Sequence, residues 1–352
     1  MKKILSLLLI VVLLFGFSAS TFANDTNSAN HNSFDKYANE IIPKHLGVFK
    51  NIDLSSPIYI SKSLKLKNLN NNTSKSRMYF LLSNDNVIGK LLVTKNKTGG
   101  FASTFDTSSL QEFNKLYTSK KKISLINVDG QLIAQNNEAN ILIEDFYKSN
   151  SVKNIKIQEN STKTTIEKNK LINLPSYASS SFSSLSIPHK ANASINGGIC
   201  WAAVCASIIE YKKGDSLTAT ELFNEVWNDY GGTPTTMPSG TWTHMKHTYN
   251  MHQMYPDQVY ALTDDEVSNL LGNDTPIHMG MYDYSDPNHT VGHSVALRGN
   301  SYAGGTLIYS LMDPNKSSYV SISVPSDAQS NGRDLVYHAS YGYDFEWKYA
   351  RY

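Results

Sequence analysis

The chain has 352 residues and a formal net charge of only +2. That length leaves room for two ordinary domains, and the charge gives no basis for nucleic acid as a partner. Hydrophobic residues make up 40% of the sequence, with four Trp and 21 Tyr, which fits a packed globular protein and excludes a disordered one.

At the N-terminus Lys2 and Lys3 precede an almost unbroken apolar run from Ile4 to Phe17. Ser18, Ala19 and Ser20 follow, and Thr21-Phe22-Ala23 resembles a signal-peptidase site. The run is shorter than the roughly 20 apolar residues a membrane span needs, so residues 1–23 read as a cleaved signal peptide rather than an anchor. No later segment is apolar for long enough to cross a bilayer, so the expectation is a secreted protein with no membrane contact after cleavage.

Residues 24 to about 170 are rich in Asn, Lys and Ser and contain no Cys or Trp. Phe34, Tyr37, Ala38, Ile41 and Ile42 give Ser33 to His45 a helical pattern, with Ser33 as a possible cap. Met78–Leu82 and Val87–Val93 flank a polar turn and predict a β-hairpin. Leu110–Tyr117 reads as a short helix. Ile123–Val128 and Gln131–Ala134 flank Asp129-Gly130, a second hairpin signal. This is a small α+β unit with nothing in it that resembles a reaction centre. Tyr177 to Ser186 is serine-rich and reads as an exposed, cleavable linker. Both Cys, all four Trp and most His follow it. The domain reading is therefore 24–180 and 181–352.

The second domain opens with Ile187-Pro188 and the turn Asn196-Gly197-Gly198. Trp201–Tyr211 follows as an apolar helix ended by Lys212-Lys213-Gly214. Thr218–Asp229 predicts another helix, and Gly231–Gly240 a turn-rich loop. Thr263–Leu271 is a third helix, with Thr263 and Glu266 at capping-box spacing. Pro276–Tyr282, Ser294–Arg298, Thr306–Met312 and Tyr319–Val324 read as strands. Helices first and an antiparallel sheet afterwards is an α+β order.

Cys200 and Cys205 lie five residues apart on one predicted helix, turned about 140° and separated by about 7.5 Å of rise. A disulfide needs closer Cα atoms and convergent Cβ vectors, so both thiols are expected to be free. Cys205, inside the helix, reads as a small core side chain. Cys200 follows a glycine turn at the first helical turn, where the helix dipole favours a reactive thiolate. His293, in Gly292-His293-Ser294 at the start of a strand, is the candidate base. Twenty residues later Asp313-Pro314-Asn315 closes the next strand, so Asp313, with Asn315 second, is placed to orient the imidazole.

Gly198-Ile199-Cys200-Trp201, Gly292-His293 with its alternating strand, and the strand ending at Asp313 together resemble the papain-like cysteine peptidases. The resemblance covers roughly residues 187–352, and the pre-pro layout is similar to exported bacterial members such as the staphopains and streptopain. It implies a papain-like catalytic domain, with N-terminal helices packed on an antiparallel β-sheet, preceded by a small α+β inhibitory propeptide. It also implies peptide-bond hydrolysis of protein or peptide substrates through a thioester, without a cofactor. The family's upstream motif cysteine is replaced by Gly197. Where papains carry the oxyanion-hole glutamine this chain has Ser194, leaving Asn196 or Asn192 to supply the amide beside the Cys200 backbone N–H.

His278, Asp283, Asp286 and His289 form a possible metal cluster, but their spacing fits no closed metal motif, so no metal is expected. His244 and His247 read as a helix surface. Two other functions stay open at this level. One is a papain-fold amidase or acyltransferase acting on cell wall or peptides, the other a non-enzymatic surface or toxin-like binding protein.

Overall fold

The computed structural model describes residues 34–49, 52–65, 67–68, 76–96, 99–119, 123–128, 131–135, 140–145, 166–174, 183–192, 198–230, 240–284, 288, 292–340 and 343–352. The signal peptide, Ser33, Asn196-Gly197, residues 231–239 of the turn-rich loop and most of the serine-rich linker lie outside the described residues.

The N-terminal half begins with helix α1 (Phe34–Leu46) and strands β1 (Ile58–Ser61), β2 (Leu64–Lys65) and β3 (Lys67–Asn68). The first predicted hairpin is β4 (Ser76–Ser83) and β5 (Asn86–Lys95), followed by β6 (Phe101–Asp106) and helix α2 (Leu110–Ser119). The second is β7 (Ser124–Val128) and β8 (Gln131–Gln135), with β9 (Asn140–Asp145) and β10 (Lys168–Leu171) after it. Asn84 turns the first hairpin at φ 51, a left-handed conformation that asparagine tolerates better than most residues. Helix α1 buries Ala38, Ile41, Ile42 and Leu46 in a core shared with Tyr79, Leu91 and Phe105.

The C-terminal half contains β11 (Ser183–Ser184), helices α3 (Cys200–Lys213), α4 (Ala219–Tyr230) and α5 (Trp242–Met251), and β12 (Gln258–Tyr260). Helix α6 (Asp264–Gly272) precedes β13 (Ile277–Asp283), β14 (Gly292–Ala303), β15 (Thr306–Met312) and β16 (Val320–Val324). A short helix α7 (Ser326–Ser330) and strands β17 (Val336–Ser340) and β18 (Tyr343–Arg351) complete it. Trp201 to Ile209 of α3 are all buried, as expected for an apolar helix inside a core. Gly214 stops it at φ 82, its N–H donating to the Glu210 carbonyl. The capping box of Thr263 and Glu266 opens α6. Helix α3 packs on β14, joining helices and sheet in one core that includes Trp201, Phe223, Tyr309, Tyr337 and Trp347. Each such large apolar side chain contributes about 1.5–3 kcal/mol by leaving water.

Both halves contribute to one 14-stranded sheet, with central order β10-β1-β4-β5-β6-β16-β15-β14-β13-β18-β12. The junction is the antiparallel pair β6–β16, with Asp106 opposite Val320, Phe105 opposite Ser321 and Thr104 opposite Ile322. The linker reading is corrected at its end. Ser183 and Ser184 pair with Asn300 and Gly299, and Leu185 and Ile187 are buried, because their apolar side chains find the helix–sheet core. The mixed α+β character and the large antiparallel sheet are consistent with a papain-like domain in the C-terminal half.

Candidate active site

Cys200 is the first residue of α3. The turn before it needs Gly198, whose φ is +99 and whose Cβ, if it had one, would come within 2.8 Å of Asn192 Nδ2. Asn192 Oδ1 accepts the Ile199 N–H at 2.7 Å, and Asn192 Nδ2 donates to Asn315 Oδ1 at 2.6 Å. Asn192 therefore ties the start of α3 to the loop after β15. Its carbonyl and one of its N–H groups are committed there, and it does not line the cleft. Asn196 lies outside the described residues.

His293 is the second residue of β14, and Asp313 directly follows β15. The two strands are hydrogen-bonded neighbours, with Ala296 opposite Met312, so both residues sit at the same end of the sheet. His293 Nε2 donates to Asp313 Oδ1 at 3.0 Å. Asp313 Oδ1 also accepts the Asn315 N–H at 2.8 Å, and Oδ2 accepts the Tyr337 hydroxyl at 2.7 Å. The ring of Phe345 packs 5.0 Å from the imidazole. Of the two candidates for the third position, Asp313 meets the histidine and Asn315 meets Asn192.

Burial of His293 acts against its charged form. The charge and hydrogen bond of Asp313, and then a hydrogen bond with Cys200, more than reverse this and raise its pKa to about 10. Burial likewise opposes ionisation of Asp313, but His293, Lys316 and Tyr337 hold it down at about 2. With Nε2 engaged by Asp313, Nδ1 is the nitrogen left for the thiol. The arrangement can hold an imidazolium beside a sulfur nucleophile at a helix N-terminus, the charge pattern that acyl transfer from an amide requires.

Both cysteines are free. Cys205 is fully buried, and burial pushes its thiol up to about 12. Its sulfur lies 3.9 Å from His278 Nδ1. His278 is equally buried; its ring also meets the Tyr249 hydroxyl at 3.0 Å and Ser294 Oγ at 3.1 Å. These bonds make His278 part of the core. Asp286 and His289 of the possible metal cluster lie outside the described residues. His244 closes the cap of α5 with Thr241, and His247 meets Asp229 at 2.9 Å.

An open cleft of about 410 Å³ is lined by Cys200, His293 and residues from α5, β12, β13 and β18. Several of its walls were not flagged by the sequence: Trp242, Gln258, Tyr349 and Arg351. Tyr337 and Lys316, which act on Asp313, were also missed.

No curated protein matches the chain. Residues 181–331, which carry Cys200, His293 and Asp313, match the family described as papain-like cysteine protease AvrRpt2, and this similarity supports a papain-like cysteine peptidase.

Proposed function

We propose that the chain is an exported cysteine endopeptidase of the staphopain and streptopain kind, made as a zymogen, with Cys200 as nucleophile, His293 as general base and acid, and Asp313 as orienter. The observation that carries this reading is the His293–Asp313 bond at one end of β14 and β15, in the cleft that Cys200 also lines. The Cys200 sulfur attacks the scissile carbonyl carbon. As the C–N bond breaks, the imidazolium gives its proton to the leaving amine. His293 then takes a proton from water, the hydroxide attacks the thioester, and the carboxylate product leaves as the thiol re-forms. The Cys200 backbone N–H and the amide of Asn196 are proposed to receive the oxyanion.

Residues 1–23 are proposed as the export signal and 24–180 as an inhibitory propeptide. Asp106 of that half lies 3.7 Å from Lys316, three residues beyond Asp313, which gives it a direct hold on the loop that carries the orienter.

The test is hydrolysis of casein and, in parallel, of purified peptidoglycan by the secreted protein. Casein cleavage that disappears in Cys200→Ala and persists in Cys205→Ala supports the reading. Cleavage of peptidoglycan alone would favour a cell-wall amidase. Cleavage of neither would favour a binding protein.

A further inference from the structure

Among the described residues, the cleft beside Cys200 contains one charge that the Cys200–His293–Asp313 group does not use. Arg351, near the end of β18, lines the cleft and is only 5% exposed. Its Nε donates to Gln258 Oε1 at 2.9 Å, and its guanidinium carbon lies 5.1 Å from the centre of the Trp242 ring. The guanidinium also lies against Gly280 of the cleft wall. A Cβ there would come 2.7 Å from Nη1 and 3.2 Å from Nη2.

Nη1 has no hydrogen-bond partner among the described residues, and none of their carboxylates pairs with Arg351. The described wall of the cleft contains no Asp, Glu or Lys. The neighbouring Cys205 and Tyr249 are held in their neutral forms by burial, and His278 is kept uncharged by burial and by Arg351 itself. Arginine stays protonated throughout the working pH range. A buried guanidinium without a counter-charge is costly, and one in the wall of an open cleft can be satisfied by whatever fills the cleft.

Resting on the peptidase reading above, we propose that Arg351 selects substrates with a glutamate or aspartate side chain at the position next to the scissile bond that occupies this cleft. The carboxylate supplies the counter-charge, and a planar guanidinium matches it geometrically. A neutral amide of the same size leaves the charge unpaired and is rejected for that reason. Gly280 contributes by leaving room for the guanidinium against the sheet. Arg351 lies beyond the segment that matches the protease family, so this preference belongs to the chain's own C-terminal strand.

The test uses the secreted protein, cleaved ahead of β11 and freed of the proposed propeptide half in mildly acidic medium, and internally quenched peptides with both ends blocked, so that no terminal carboxylate can substitute for a side chain. Each position flanking the cleavage site is varied through Glu, Gln, Ala and Lys. At one position kcat/KM for Glu should exceed that for Gln by about tenfold or more, with the ratio shrinking as salt is raised. Arg351→Gln and Gly280→Ala should each bring that ratio to within about twofold of one, as expected when the charge-assisted bond is lost. Arg351→Glu should turn the preference toward Lys. The wild-type profile decides the matter even where a variant fails to fold. Efficient cleavage with Glu and Gln equivalent at every position would overturn this inference and leave the peptidase reading standing. No cleavage of any peptide would overturn both.

Discussion

Asp313 is held from three directions, by His293, the Asn315 backbone and Tyr337, so its role divides into shape and charge. Asn at this position can still accept from His293 and from the Asn315 N–H, and Tyr337 can turn its hydroxyl to accept from the new amide. Asp313→Ala removes all of these bonds. We therefore expect Asp313→Ala to lower kcat by about 10²-fold or more, in the range of a lost acid–base contribution, and Asp313→Asn to lower it by less. Steady-state kinetics on one peptide substrate measures the difference. Charge has its own signature in stability. Burial notwithstanding, His293 is raised from 6.5 to about 10 by Asp313 and Cys200. Its contribution is full below about pH 6.5 and is lost as pH climbs toward 10. Asp313 is lowered from 3.8 to about 2, so its contribution is full above about pH 4 and is lost as pH falls toward 2. The two overlap between about pH 4 and 6.5. Melting temperature should fall between pH 6.5 and 9 in the wild type, and Asp313→Asn should flatten that fall.

The start of α3 depends on Gly198 as much as on Cys200. Gly198→Ala would hold a β-carbon at φ +99 and 2.8 Å from the Asn192 amide nitrogen. We expect a loss of about 1–3 kcal/mol in denaturant unfolding. Turnover should fall as well, because the displaced Asn192 also anchors the loop after β15. Much at this scale was legible in the sequence. The apolar run of α3, the capping box of α6, both N-terminal hairpins and the strand at Thr306–Met312 follow from periodicity and turn residues. The same local signals placed His293 and Asp313 at the ends of consecutive strands. The walls of the cleft were not legible, and the reason is geometric. Tyr349 pairs with Gly280 and Trp347 with Met281, so Lys348 bulges out and the alternation that buries Phe345 and Trp347 does not carry through to Arg351. Trp242, Gln258, Gly280 and Arg351 also come from four separate elements, and no spacing rule joins them. Ser183–Ser184 was hidden because a two-residue strand of serines reads as linker until Leu185 and Ile187 are seen buried.

Across the whole molecule, the sheet that carries the candidate active site continues into the N-terminal half. At the junction Asp106 lies 3.1 Å from Lys90 and 3.7 Å from Lys316, all three side chains almost completely buried. Removing the carboxylate from between two buried ammonium groups should cost about 3–5 kcal/mol. Asp106→Ala is thus expected to lower the denaturation midpoint of the entire chain in one cooperative transition, and two separate transitions would contradict the shared sheet. His45 bridges the same junction, to Ser321 at 2.7 Å and Ser103 at 2.9 Å. Burial, aided by the charge of Lys44, lowers its pKa to about 3. A histidine held neutral in this way contributes stability that is present above its ordinary 6.5 and is lost as pH falls toward 3. After cleavage between about residues 175 and 183, ahead of β11, the two fragments should co-elute at pH 7.5 and separate as the medium is acidified. Separation at pH 7.5 would contradict this. The most direct measurement is made on the chain after the proposed propeptide has been removed. It is treated with an epoxide thiol reagent, with and without His293→Ala, and the adduct is located by peptide mass spectrometry. A single fast adduct on Cys200 that largely disappears in His293→Ala is the expected result. Labelling that favours Cys205, or that proceeds equally without His293, would mean that Cys200 and His293 do not form a catalytic pair.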